Sequence, residues 1–133
     1  MLFVSCQPVD KNDLFALTGR VFIATIFLAS AFGKITNFQT TTEYMAAHGL
    51  PVVELLCAVA VVVEVLGGLS LVLGYYARGG AVALLVFMVP ATLIFHASPD
   101  QRIQLLKNLA IMGGLLQVAA FGPGEISLDY RSR

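Results

Sequence analysis

The sequence predicts an all-α protein, an antiparallel bundle of four transmembrane helices joined by short loops. Three observations carry this expectation. Hydrophobic residues make up 58% of the 133-residue chain and charged residues only 12%, against about 25% charged in an average globular protein. Four apolar runs, at residues 14–35, 52–73, 79–96 and 103–121, each approach the roughly 20 residues needed to cross a bilayer. All four are apolar around most of the helix circumference, so they lack the polar face that a soluble bundle turns to water. These runs fill most of residues 1–133, which predicts a single membrane domain. Net charge is zero, so no nucleic-acid partner is implied and the lipid bilayer is the expected surrounding.

The first run carries Arg20 and Lys34. Within it, Ala29-Ser30-Ala31 resembles a signal-peptide cleavage site, but small residues for close helix packing explain it better. The connection over residues 36–51 is long enough for a short amphipathic helix, with Phe38, Tyr44 and Met45 toward the membrane or the bundle. Gly49-Leu50-Pro51 ends it and starts the second run, which carries Glu54 and Glu64. Gly74-Tyr75-Tyr76 then makes a short turn, with tyrosines suited to the membrane interface. The third run is uncharged, and Pro90 inside it removes a backbone donor and should kink the helix. Ser98-Pro99-Asp100 is a turn cluster. The fourth run carries Lys107 and stops at Gly122-Pro123-Gly124. Lysine and arginine counts favour both termini on the cytoplasmic side, where Lys11, Arg20, Arg78, Arg131 and Arg133 would outnumber Lys34, Arg102 and Lys107.

Five ionised side chains thus fall within apolar runs. Each costs roughly 2.5–3.5 kcal/mol at membrane depth unless it faces a bundle interior. Arg20, Phe27 and Lys34 recur every seven residues on one seam of the first run. Glu54 and Glu64 occupy the two interior positions of a heptad on the second. Lys107, Ala110, Gly114 and Gln117 follow the same spacing on the fourth. Antiparallel helices with level ends set Arg20 opposite Glu64 and Lys34 opposite Glu54, each within about one turn. Such pairs can simply hold helices in register, and Lys34 and Lys107 can snorkel to the interface. The competing expectation is a polar pocket, because Lys107 has no third carboxylate and lies near His96 and Asn108.

Other chemistry is weakly supported. Cys6 and Cys57 form no redox pair. His48 falls in a loop, which argues against a haem shared with His96. Zinc lacks ligands. Gly67-Gly68 and Gly113-Gly114 read as close helix contacts. Ala29-Gly33, Gly79-Ala83 and Ala110-Gly114 would also allow a homo-oligomer. There is no phosphate-binding loop, dinucleotide-binding glycine set or catalytic triad. No self-contained enzyme is supported, and no metal or cofactor is expected in the chain.

The order of short motifs is nevertheless specific. Gly19-Arg20 and Gly33-Lys34 bracket the first helix, followed by Tyr44-Met45 and Gly49-Leu50-Pro51. Next come Glu64-Val65-Leu66-Gly67-Gly68, Leu73-Gly74 with Arg78, and Phe95-His96. Lys107-Asn108-Leu109-Ala110 with Gly113-Gly114, then Gly122-Pro123-Gly124 and Ser127-Leu128-Asp129, complete the series. In this order the chain resembles the DoxX family of small four-helix bacterial membrane proteins. The resemblance implies a multi-pass protein of the bacterial inner membrane. It also implies an accessory or quinone-contacting subunit of a membrane redox system, by analogy with subunits of a terminal quinol oxidase and of thiosulfate:quinone oxidoreductase. A partner subunit would then hold the metal or flavin, and this chain would at most bind a quinone or lipid. Arg20, Lys34, Glu64, His96, Lys107 and Asn108 match the family pattern, whereas Glu54 does not. A lipid- or small-molecule-binding scaffold is the alternative, and a proton-coupled carrier built on Glu64 is the third.

Overall fold

The computed structural model describes residues 8–95 and 98–131. Four long helices dominate: α1 (Lys11–Thr36), α3 (Val53–Leu73), α4 (Ala77–Phe95) and α5 (Arg102–Phe121). A short helix α2 (Phe38–Ala47) fills the first connection, and α6 (Leu128–Arg131) closes the chain. The four long helices have the length and hydropathy of membrane spans. α1 starts three residues before the apolar run because Lys11, Asn12 and Asp13 are polar yet helical, with Asp13 favourably placed in the first turn. α4 is continuous through Pro90, and residue 96, the predicted end of that run, lies outside the described residues.

α1 packs along α3, α3 against α4, α4 against α5, and α5 returns to α1 to close the ring. Each helix turns a narrow seam inward. On α1 it is Arg20, Ala24, Phe27 and Ala31, and on α3 Cys57, Ala60, Glu64, Gly67, Gly68 and Leu71. On α4 it is Ala77, Ala81, Leu84, Met88 and Thr92. Much of this seam is Ala and Gly, which lets helices approach closely where no hydrophobic effect drives them together. The large apolar side chains point outward instead, with Phe22 and Phe121 each more than 70% exposed, as expected where the solvent is hydrocarbon. Exposed Thr18, Thr25 and Thr36 each donate to the carbonyl four residues back, so their hydroxyls need no water.

Two interior seams differ from expectation. α5 buries Leu115 and Val118, with Ile111 packed against the core. The expected seam through Lys107, Ala110 and Gln117 lies exposed. α5 is apolar around its whole circumference, so the sequence pattern did not select among faces, and the true seam is rotated by one residue. On α3, Glu54 lies exposed in the first turn, where the helix N-terminus favours a carboxylate, while the seam runs through Cys57.

The paired glycines separate by the same geometry. A Cβ on Gly67 would sit 2.5 Å from Leu84 Cγ, and one on Gly68 would sit 2.8 Å from Leu28 Cδ2. A Cβ on Gly113 would meet nothing within 4 Å. Gly67→Ala is therefore expected to cost about 1–3 kcal/mol of stability by overpacking, and Gly113→Ala to be near neutral. Denaturant titration in mixed micelles measures both.

Candidate functional site

The polar interior begins with spacing on α1. Ser30 and Lys34 are four residues apart and so share a face. Lys34 Nζ donates to Ser30 Oγ at 2.6 Å. It also reaches across to α3, 2.9 Å from Glu64 Oε1 and 3.2 Å from Oε2. Ser30 Oγ in turn donates to Glu64 Oε1 at 3.4 Å. The result is a closed ammonium–hydroxyl–carboxylate triangle, with the Glu64 side chain 4% exposed and that of Lys34 22% exposed.

This pairing replaces the expected one. Lys34 is bound to Glu64 rather than to Glu54, and Glu64 is bound to Lys34 rather than to Arg20. The reason is the register and lean of the helices. The close approach of Ala24 to Gly68, whose added Cβ would sit 3.6 Å from Ala24 O, sets the register of α1 on α3. Lys34 and Glu64 start roughly 9 Å from level, about six helical rises. Helical side chains tilt toward their own N-terminus. In this antiparallel pair the tilt carries Lys34 and Glu64 toward each other and closes the gap.

Arg20 serves the opposite end of the bundle. It is 1% exposed. One guanidinium nitrogen donates to Leu71 O at 2.7 Å, and the other donates to Ile126 O. Its Nε finds no acceptor among the described residues. The Asp129 carboxylate lies within electrostatic reach of it. Asp129 also accepts from the backbone of Tyr76 at 2.6 Å and Ala77 at 2.9 Å. It thereby caps the start of α4 from the far end of the chain. Gly74 ends α3 in the left-handed region, at φ +67°, where a Cβ would strike Ser127. Glu125 N donates to Asp13 Oδ1, which ties the chain's C-terminal segment to the start of α1. These contacts make a structural clamp at one end of the bundle.

The Lys34–Glu64 triangle opens on a cleft of about 640 Å³ bounded by α1, α2, α3, α4 and α5. Its walls are mainly apolar, including Phe27, Met45, Ala60, Phe87, Met88 and Ile111. α2 lies across one end, where Tyr44 stacks on Phe95 with ring centroids 5.5 Å apart. On the wall facing α1 and α3, Asn108 Nδ2 donates to Thr92 Oγ1 at 3.1 Å. Of the expected site residues, the cleft therefore gathers Lys34, Glu64 and Asn108. Arg20 sits at the clamp, Lys107 is exposed on the outside of α5, and His96 lies outside the described residues. Lys107 misses the cleft because it is one residue, about 100° of helix, round from Asn108.

Ser30, Thr92 and Asp129 also belong to these networks, beyond the site residues expected from the sequence. Ser30 carried a usable signal, since it lies four residues before a lysine at membrane depth. The Asp129 cap acts on residues 52 and 53 positions away and has no local signature.

Comparison with known proteins agrees with this architecture. Residues 15–97 match the DoxX family model. Inner membrane protein YphA of Escherichia coli (strain K12) is 35% identical over 123 residues, covering 86% of this chain and 88% of the relative. Inner membrane protein YqjF of the same organism is 32% identical over 121 residues, covering 89% and 92%. No solved structure matches the chain. On this match and on its four apolar spans, the chain is an integral membrane protein that belongs to the DoxX family.

Proposed function

We propose that the protein is an accessory, quinone-contacting subunit of an inner-membrane redox system, and that the cleft beside Lys34 and Glu64 receives the quinone head group. The observation that carries this reading is a polar triangle in a mainly apolar cleft of about 640 Å³. The pair is neutral overall, because Glu64 already balances Lys34. It therefore favours a neutral head group with hydrogen-bonding oxygens over an anionic one. Lys34 offers a donor to a carbonyl, and Glu64 offers an acceptor to a hydroxyl.

Two further features favour a lipid-soluble ligand. Leu56, Val59 and Ile94 line the cleft and are also exposed. An opening rimmed by such residues faces hydrocarbon, so the ligand would enter from the bilayer. Glu64 lies near the middle of α3, a depth that a quinone ring can occupy but a phospholipid head group would leave its interface to reach. The electron carrier of such a system would belong to a partner subunit. Bare helix surface at Gly79 and Gly113, where an added Cβ meets nothing within 4 Å, leaves room for a partner helix or a second copy.

An inner-membrane location is supported by the relatives, both of which are inner membrane proteins. The end that gathers Asp13 and Glu125 also holds Lys11, Arg78 and Arg131, which favours the cytoplasmic side for both termini.

The test uses the double variant Lys34→Met/Glu64→Leu, which removes both polar groups and preserves volume. Protein in nanodiscs is labelled with a photoreactive quinone, and adducts are mapped by mass spectrometry. Wild type is expected to carry adducts on cleft residues, with labelling down about tenfold or more in the double variant, the loss of one or two charge-assisted hydrogen bonds. Equal labelling of the two proteins, or adducts confined to outward residues such as Phe22 and Phe121, would contradict the proposal.

A further inference from the structure

The cleft has a second polar pole that the Lys34–Glu64 pair does not explain. Asn108 on α5 and Thr92 on α4 line it together. Thr92 is 3% exposed, and its hydroxyl accepts from Asn108 Nδ2 at 3.1 Å. The other α4 and α5 residues that line the cleft are apolar. An amide carries two N–H donors and a carbonyl with two lone pairs. The bond to Thr92 uses one donor and fixes the orientation of the side chain. At least one N–H and the Oδ1 lone pairs are left for a ligand. A side-chain amide at membrane depth is costly when its groups go unpaired.

We infer that the cleft reads a para-quinone at both of its oxygens, with Lys34 and Glu64 holding one and Asn108 the other. This rests on the reading of the cleft as a quinone site and adds a specificity residue to it. The two poles stand on opposite walls, α1 with α3 and α4 with α5. A ring with oxygens at opposite positions satisfies both. A ligand with a single polar end, whether a fatty alcohol or a phospholipid, leaves one pole unpaired. Asn108 also suits both oxidation levels of such a ring. Its N–H donates to a carbonyl, and its Oδ1 accepts from a hydroxyl. No electron transfer is assigned to this chain.

The test is a competition experiment in nanodiscs against a photoreactive quinone, with two probes of equal tail length. One is a decyl para-benzoquinone. The other is the decyl mono-ketone of the same ring size. Wild type is expected to bind the dione about tenfold more tightly, the worth of one retained hydrogen bond. In Asn108→Leu the preference falls to about twofold or less, with mono-ketone affinity unchanged. Thr92→Val keeps the side-chain shape and frees the amide to rotate, so its preference falls part of the way. It decides the matter if Asn108→Leu does not fold. A full tenfold preference surviving in Asn108→Leu, or in Thr92→Val where that variant decides, overturns the role of Asn108 and leaves the quinone site standing. Equal affinity for the two probes in wild type overturns the two-oxygen reading. Failure of the dione to compete overturns both the inference and the quinone reading beneath it.

Discussion

Glu64→Ala is expected to lower the stability of the bundle by about 3 kcal/mol, because breaking a buried ion pair leaves an uncompensated charge. The value sits at the low end of the usual range because the Lys34 side chain keeps 22% of its surface exposed and can partly snorkel. The double variant Lys34→Met/Glu64→Leu is expected to return to within about 1 kcal/mol of wild type, since an apolar pair of similar volume avoids desolvation altogether. The contrast matters more than either value. If the pair served only to fasten α1 to α3, an apolar replacement would serve equally well. A costly polar group that stability does not require points to a ligand. Denaturant titration in mixed micelles, run as a double-mutant cycle, measures the coupling directly. A Glu64→Ala loss below about 0.5 kcal/mol would show that the pair is not closed in the membrane.

The second large effect belongs to Arg20. Its guanidinium bridges Leu71 O near the end of α3 and Ile126 O in the C-terminal segment. A planar fork reaches two acceptors at once, and an ammonium does not. Arg20→Lys is therefore expected to cost about 2 kcal/mol, and Arg20→Ala about 4 kcal/mol with one buried and one part-buried carbonyl orphaned. The loss has a local signature. Asp129 N donates to Gly74 O at 2.9 Å, and Glu125 N donates to Asp13. Hydrogen exchange at both amides should rise in either variant while amides of the α1–α3 core stay protected. Unchanged protection at Glu125 and Asp129 in Arg20→Ala would show that the clamp does not depend on the guanidinium.

The sequence made the four spans, the extra helix after the first, and the inward facing of Arg20, Phe27 and Lys34 legible, because each rests on a periodicity or on the cost of charge in hydrocarbon. The partners were not legible. Axial level does not pair the charges, because the lean of helical side chains joins Lys34 to Glu64 across roughly 9 Å of axial offset. The face of α5 was not legible either, because a helix apolar on all sides carries no phase. Lys107 drew attention as a charge, yet its neutral neighbour Asn108 lines the cleft. Thr92 is an ordinary residue in an apolar run, and only the folded chain sets it beside Asn108. The structural clamp was hidden for the same reason. Asp129 is polar, near the end of the chain and unremarkable in sequence, but it caps α4.

The most direct measurement identifies what the protein carries from its own membrane. Wild type and the double variant Lys34→Met/Glu64→Leu are purified in mild detergent, and their bound molecules are extracted and identified by mass spectrometry. The expected result is an isoprenoid quinone at about one per chain in wild type and about tenfold less in the double variant. Equal quinone in both proteins, or phospholipid alone in wild type, would contradict a quinone site between Lys34, Glu64 and Asn108.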